Sequence, residues 1–301
     1  MPFEGSLQLP GNLHLLTQLV QLLMVLEIYM MTSSRFSLRS ITLMTALLAA
    51  PLVNAATSAP VMTAGLLTYG TAATFAPFEF QADGKLTGFD IDLIEALGTK
   101  MGLKPTAMNM EFQGLIPALQ GKRVDLINSA MYMNEARAAQ VDFVPYLRIG
   151  NQVVVTEDNP AKVTGRDNSL CGKTVAVTLG GIEETYARQD DKRCKDAGLA
   201  AVKVQTLPTA QASALSLRQG RADATFDSTP GVVQMLREVP GVYKTVGPEF
   251  ESETRIGMAV AKGNTGMSDA LQGALKELVA DGTYKQIIEK WKFPATVSLF
   301  D

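Results

Sequence analysis

Arg137 sits where chemistry with an anion is easy to arrange. Asn134, three residues earlier, can cap a short polar helix by accepting a backbone N–H, which puts Arg137 in the first turn. A cation there opposes the helix dipole, so helix stability does not explain it, whereas a guanidinium fork matches a carboxylate. Taken alone, such an arginine is more often a plain surface residue. Gly180-Gly181-Ile182 follows an apolar run and opens a helical stretch. Free N–H groups at that point attract anions, although a glycine pair is as readily an ordinary turn. Phe75, Phe78 and Phe112 read equally as core residues, and Glu79 and Glu183 as polar contacts or solvated surface. Histidine is confined to His14, upstream of an export signal, so the mature chain has no Ser-His or Cys-His catalytic arrangement.

The elements needed to position these residues alternate. Val61 to Tyr69 reads as a strand, and Asp83-Gly84 as a hairpin or loop. Asp90 reads as the cap of a helix with Ile94, Leu97 and Met101 at helical spacing, ended by Gly102. Leu115 to Leu119 starts another helix, and Val124 to Ile127 is a short strand before a turn at Ser129. Gln152 to Thr156 and Thr174 to Thr178 are further strands, the second followed by a helix through Glu183 and Tyr186. Thr209 caps a helix ended by Gly220. Ala222 to Phe226 is a strand, and Asp227-Ser228-Thr229-Pro230 opens the next helix with proline in its first turn. After a strand at Arg255 to Val260, Ser268 reads as the cap of a helix to about Ala280, and Thr283 to Trp291 as the last. Such alternation predicts an α/β chain with mixed sheets flanked by helices. Ligands of such sheets bind at the carboxyl ends of strands, which here are Gly70 to Phe78, Ser129 to Arg137, Leu179 to Glu183 and Asp227-Ser228.

The chain has 301 residues, 47% of them apolar, and a net charge of -3. It carries no basic excess of the kind that binds nucleic acid. Arg35 and Arg39, the apolar run Ile41 to Val53 and the small residues of Val53-Asn54-Ala55 form an export signal over 31–55. Cleavage is expected at or just after Ala55, giving a periplasmic protein, with no cysteine there to take a lipid anchor. Residues 1–30 do not fit the signal and are expected to come from a misplaced start codon. In an oxidising compartment Cys171 and Cys194 are expected to bridge, and two cysteines alone make a poor metal site.

Several runs carry a resemblance: Gly88-Phe89-Asp90-Ile91-Asp92-Leu93, Gly121 to Tyr146 with Val141-Asp142-Phe143 and Pro145-Tyr146, and Asp281-Gly282-Thr283-Tyr284. In this order, from about Gly70 to Phe293, the chain resembles the bacterial extracytoplasmic solute-binding proteins of family 3, which serve ABC importers of polar amino acids. The resemblance implies a two-lobed, type II periplasmic-binding-protein fold. Residues 56–152 and 258–301 would form one lobe and 153–257 the other, joined by a two-strand hinge. It implies a monomer that captures an amino acid or similar carboxylate and hands it to a membrane permease, without cofactor or metal and without catalysis. Arg137 would hold the ligand carboxylate, helped by the Tyr132 N–H and the Gly180-Gly181-Ile182 turn. Phe75 and Phe112 would sandwich its side chain, with Phe78, Glu79, Ser129, Ala130 and Glu183 nearby.

Some positions depart from the family's pattern. Tyr132 stands where Ser or Thr is common, and Gly181 and Ile182 also replace hydroxyl residues. Ser228 aligns with the acid that meets the ligand amine, while Asp227 lies one place earlier; a one-residue shift on a strand turns a side chain to the other face. Ala72 replaces the acid found in receptors for lysine-like ligands, so a basic ligand side chain is disfavoured. The alternative is an exported cyclohexadienyl or arogenate dehydratase-like enzyme on the same fold, with Glu79 or Glu183 as its acid.

Overall fold

The structure is a computed structural model and describes residues 59–300. The expected upstream extension, export signal and cleavage site lie outside the described residues. In chain order the elements are β1 (Leu66–Thr71), β2 (Thr74–Phe75), β3 (Glu79–Ala82), β4 (Lys85–Thr87), α1 (Phe89–Met101), β5 (Lys104–Asn109), α2 (Leu115–Gln120), β6 (Leu126–Tyr132), α3 (Glu135–Ala138) and β7 (Val141–Arg148). There follow β8 (Asn151–Thr156), β9 (Thr174–Thr178), α4 (Ile182–Asp196), β10 (Lys203–Leu207), α5 (Ala210–Arg218), β11 (Ala224–Ser228), α6 (Thr229–Glu238) and β12 (Tyr243–Phe250). The last are β13 (Arg255–Ala261), α7 (Thr265–Ala280) and α8 (Thr283–Lys290).

Two five-stranded sheets result, ordered β5-β1-β6-β13-β7 and β10-β9-β11-β8-β12, with a small hairpin sheet β2-β3-β4 beside the first. In the first, β1 runs parallel to β5 and β6, while β13 is antiparallel to β6 and β7. In the second, β9 is parallel to β10 and β11, and β8 is antiparallel to β11 and β12. The chain leaves the first sheet after Arg148, enters the second at Asn151, and returns between Phe250 and Arg255. The expected lobe limits at 153 and 258 therefore fall inside β8 and β13. Continuous β-prone runs hide the crossings from a reading of propensity, and the first is marked only by Gly150. A Cβ on that glycine would lie 1.7 Å from the Glu249 carboxylate, so a larger residue there would displace that exposed side chain.

The runs that carried the resemblance turn out to brace the first lobe. Gly88, at φ 139°, lets the backbone pass Phe78, whose carbonyl would meet a Cβ at 1.9 Å. Gly88 therefore precedes α1, and Asp90 is not the cap: it is fully buried in the first turn. Its carboxylate accepts the Ala130 N–H at 2.7 Å and the Tyr146 hydroxyl at 2.7 Å, while its carbonyl accepts from Asn128 Nδ2 at 2.8 Å. Those bonds hold Ala130 at φ 38°, a left-handed conformation that non-glycine residues seldom adopt, and the pairing of β6 with β13 shifts register beside it. Strand β6 thus runs on to Tyr132 rather than stopping near Ile127, because its polar middle is paired in the interior.

Asp92 accepts from Trp291 Nε1 at 2.6 Å and pairs with Lys290, tying α8 to α1. The Tyr284 hydroxyl donates to the Tyr146 carbonyl, and Gly282 supplies a left-handed turn at φ 83°. Helix α7 begins three residues before the expected cap at Ser268; Asn264 caps it by accepting the Met267 N–H at 3.2 Å. In the second lobe Cys171 and Cys194 are bonded across 23 residues. Closing a loop of that size contributes about 3 kcal/mol in the chain-entropy account.

Candidate functional site

The parallel strands of both sheets end on one cavity. From the first sheet's side it is lined by Ala72, Thr74 and Phe75 after β1, Glu79 at the start of β3, Phe112, and Tyr132 at the end of β6. From the second come Thr178, ending β9, Gly181, Ile182 and Glu183 at the start of α4, Ala210 at the start of α5, and Phe226 and Asp227 near the end of β11. The first residues of α4 and α5 are thus part of the wall.

Arg137 stands across the gap between the sheets. Its backbone N–H is held by the Asn134 side chain at 2.9 Å, the expected cap. Nη1 donates to the Tyr132 carbonyl at 2.6 Å, and Nη2 reaches across to the Gly180 carbonyl at 2.9 Å. The guanidinium carbon lies 5.2 Å from the centre of the Phe112 ring, close enough for a cation–π contact. Only 8% of the residue is exposed. Desolvation by burial lowers its pKa, and the nearby Glu183 opposes that. Three of its five N–H groups remain after the two carbonyl bonds; Arg137 does not itself line the cavity, but its partners Phe112 and Tyr132 do.

The second lobe supplies acids. Glu183 is 7% exposed, and burial raises its carboxyl to about 7 against the opposing pull of Arg137. Gly181 makes room for it, since a Cβ there would lie 2.6 Å from Glu183 Oε2. Asp227 lines the cavity, and burial, with Glu183 adding to it, raises its carboxyl to about 8. Its Oδ1 accepts the Ser228 N–H at 2.7 Å. A Cβ at Gly231 would approach that oxygen to 2.7 Å, so the glycine one turn ahead leaves the acid its place.

Of the residues named from sequence, Phe75, Glu79, Phe112, Tyr132, Gly181, Ile182, Glu183 and Asp227 line one cavity. The others stand around it. Phe78 is wholly buried, with its ring 5.0 Å from Phe75 and 5.4 Å from Phe293, so it backs the cleft wall from inside the core. Ser129 is an internal bridge: its Oγ accepts the Ala72 N–H at 2.9 Å and donates to Glu79 Oε1 at 2.8 Å. Ala130 is the left-handed residue of β6. Ser228 caps α6 by accepting the Gly231 N–H at 3.1 Å, which leaves Asp227 as the member of the pair in the cavity. The Gly180-Gly181 turn is partly used internally. The Gly180 N–H donates to Glu184 Oε2 at 2.8 Å and the Gly181 N–H to the Thr178 carbonyl at 3.0 Å. Gly180, at φ 75°, instead presents its carbonyl to Arg137. Thr74, Thr178, Ala210 and Phe226 were missed; the signal for them was their place at strand or helix ends, which the small and apolar types obscured.

The chain's relatives agree in kind. The family model of bacterial extracellular solute-binding proteins, family 3, matches residues 67–295. The L-cystine-binding protein TcyJ of Escherichia coli strain K12 is 30% identical over 229 residues, covering 75% of this chain and 82% of that protein. The ABC transporter arginine-binding protein 1 of the same strain is 31% identical over 234 residues, covering 76% and 90%. Among solved structures, an ancestral arginine-binding protein bound to arginine superposes with a TM-score of 0.69 at 39% identity, covering 75% of this chain and 98% of that one.

Proposed function

This chain belongs to the bacterial extracellular solute-binding proteins of family 3, and on that premise we propose that it receives a free amino acid in the cleft between its two sheets and passes it to an ABC permease. One observation supports the assignment: a buried guanidinium bridges the two lobes beside the cavity, bonded to the Tyr132 carbonyl on one side and the Gly180 carbonyl on the other. The ligand carboxylate docks on Arg137, which makes a forked, charge-assisted contact. The ligand ammonium meets Asp227, with Glu183 beside it. Phe75 and Phe112 flank the side chain. The lobes are residues up to about 149 together with those after about 254, and the segment between; the two connections between them serve as the hinge.

The protein acts in the periplasm as a monomer, after export under the 31–55 signal. No helix among the described residues is long and apolar enough to cross a membrane. Relatives of this chain are transport receptors, and Glu183, although its carboxyl is poised near neutrality, serves binding rather than acid catalysis.

Calorimetric titration with the twenty standard L-amino acids tests this. At least one is expected to bind with a dissociation constant at or below about 10 μM, equivalent to roughly 7 kcal/mol. A folded protein that binds none of them, or that converts prephenate or arogenate instead, would overturn the reading.

A further inference from the structure

The contacts of Arg166 reach from behind the cleft wall to a connection between the lobes. The residue lies in the segment between β8 and β9, and its side chain is 18% exposed. Nε donates to Asp190 Oδ2 at 3.0 Å and Nη2 to Gln189 Oε1 at 2.9 Å, both on α4. Nη1 donates to Glu251 Oε1 at 3.4 Å, on the segment that returns the chain to the first lobe. The guanidinium carbon lies 4.9 Å from the centre of the Tyr186 ring and 4.8 Å from that of Phe250, within reach of cation–π attraction.

Both rings lead to the cleft. Tyr186 stands one turn after Glu183 on α4, and Phe250, the last residue of β12, meets the Phe226 ring edge-on at 5.4 Å. Glu183 and Phe226 line the cavity. On its other side the return segment is tied to the outgoing one. Glu251 is left-handed at φ 53°, its carbonyl accepts the Thr254 N–H at 3.0 Å, and the Thr254 carbonyl accepts the Ile149 N–H at 2.8 Å. The segment that carries Arg166 has other fastenings to α4. Cys171 is bonded to Cys194, and Arg193 donates to Asn168 Oδ1 at 2.6 Å and to the Asp167 carbonyl at 2.9 Å. The bond to Glu251 is of a different kind, because it fastens the return segment.

Resting on the proposed two-lobed, hinged reading of the cleft, we propose that Arg166 is a positioning residue of lobe closure. It fixes the start of the return segment to the helix that walls the cleft, so the second lobe turns as one body and bending is confined to residues 251–254. A hinge of few residues leaves the lobes few relative orientations. With the guanidinium gone, Phe250 and Glu251 join the flexible part. More orientations then compete with the closed one, and ordering the extra residues on closure costs entropy.

Interlobe distances provide the test. Nitroxide labels on Lys104→Cys in the first lobe and Lys203→Cys in the second, both exposed, report the distance distribution by pulsed electron paramagnetic resonance. It is recorded without ligand and with a saturating mixture of the twenty standard L-amino acids. Against the labelled parent, Arg166→Met is expected to give a distribution about twice as wide in both conditions. Arg166→Lys keeps the charge but not the planar fork and is expected to fall between. Glu251→Gln cuts only the bond to the return segment; it is expected to widen the distribution by a smaller amount, and it decides the matter if Arg166→Met fails to fold. Distributions as narrow as the parent's in every folded variant would overturn the proposal and leave Arg166 a staple within the second lobe. A parent unmoved by the amino-acid mixture would count against the amino-acid reading, while the ligand-free widths would still judge Arg166.

Discussion

Arg137→Ala is expected to lower amino-acid affinity by about 30-fold to several thousand-fold. Removing one partner of a buried, hydrogen-bonded charge pair costs roughly 2–5 kcal/mol, and each 1.4 kcal/mol is about a factor of ten. The upper part of that range applies because the arginine does three things at once. On the proposed reading it faces the ligand carboxylate, and it holds the Tyr132 carbonyl in its own lobe and the Gly180 carbonyl in the other. The variant loses the cation, and it also loses the bond that draws the second lobe onto the ligand. Arg137→Lys keeps the charge but not the planar fork, and is expected to fall between the wild type and the alanine variant. Titration calorimetry on folded variants reads both. An alanine variant binding within threefold of the wild type would contradict the placement of the carboxylate.

The second large effect concerns pH. Burial raises the carboxyls of Glu183 and Asp90 to about 7 and that of Asp227 to about 8, and it raises Glu79 as well. In the unfolded chain these groups titrate near ~4. Below that pH both states are protonated, and these groups add no pH dependence. Above it the unfolded chain has released protons that the folded one still holds, so stability falls as pH rises, until the folded groups ionise near 7 to 8. A single group shifted as far as Glu183 accounts for roughly 3 kcal/mol across that window. Asp142, Asp167 and Asp281 are held low by their hydrogen-bond partners. Their opposite contribution is complete by about pH 5. Urea midpoints of the protein free of ligand are therefore expected to fall from pH 5 to pH 8. Midpoints that stay level or rise over this range would show that the cleft acids are ionised and solvated in the folded state.

Much of this was legible from residues alone, and the failures have physical causes. The Asn134 cap read correctly because capping is local: the signal and the geometry lie within four residues. The strand-and-helix alternation read correctly because its apolar spacing records burial. Position Asp90 misled because an acid near a helix start usually caps it, whereas here the glycine two places earlier passes so close to Phe78 that the helix entry is set there, and the acid turns inward to Ala130 and Tyr146. Ser129 looked like a turn because polar residues usually mark one; its partner Glu79 is 50 residues away in sequence and could not be seen. Phe75 and Phe78 are alike in type, and only the hairpin β2–β3 decides that one faces the cavity and the other the core.

The central claim is that Arg137 grips a ligand carboxylate across the gap between the lobes. The most direct measurement compares the amino acid that binds best to the wild-type protein with its α-carboxamide, which keeps the ammonium and the side chain but lacks the anionic group. The account predicts that the carboxamide binds the wild type at least about 100-fold more weakly, a loss of roughly 3 kcal/mol, and that the difference shrinks to a few-fold in Arg137→Ala. Equal binding of acid and amide by the wild type would contradict it.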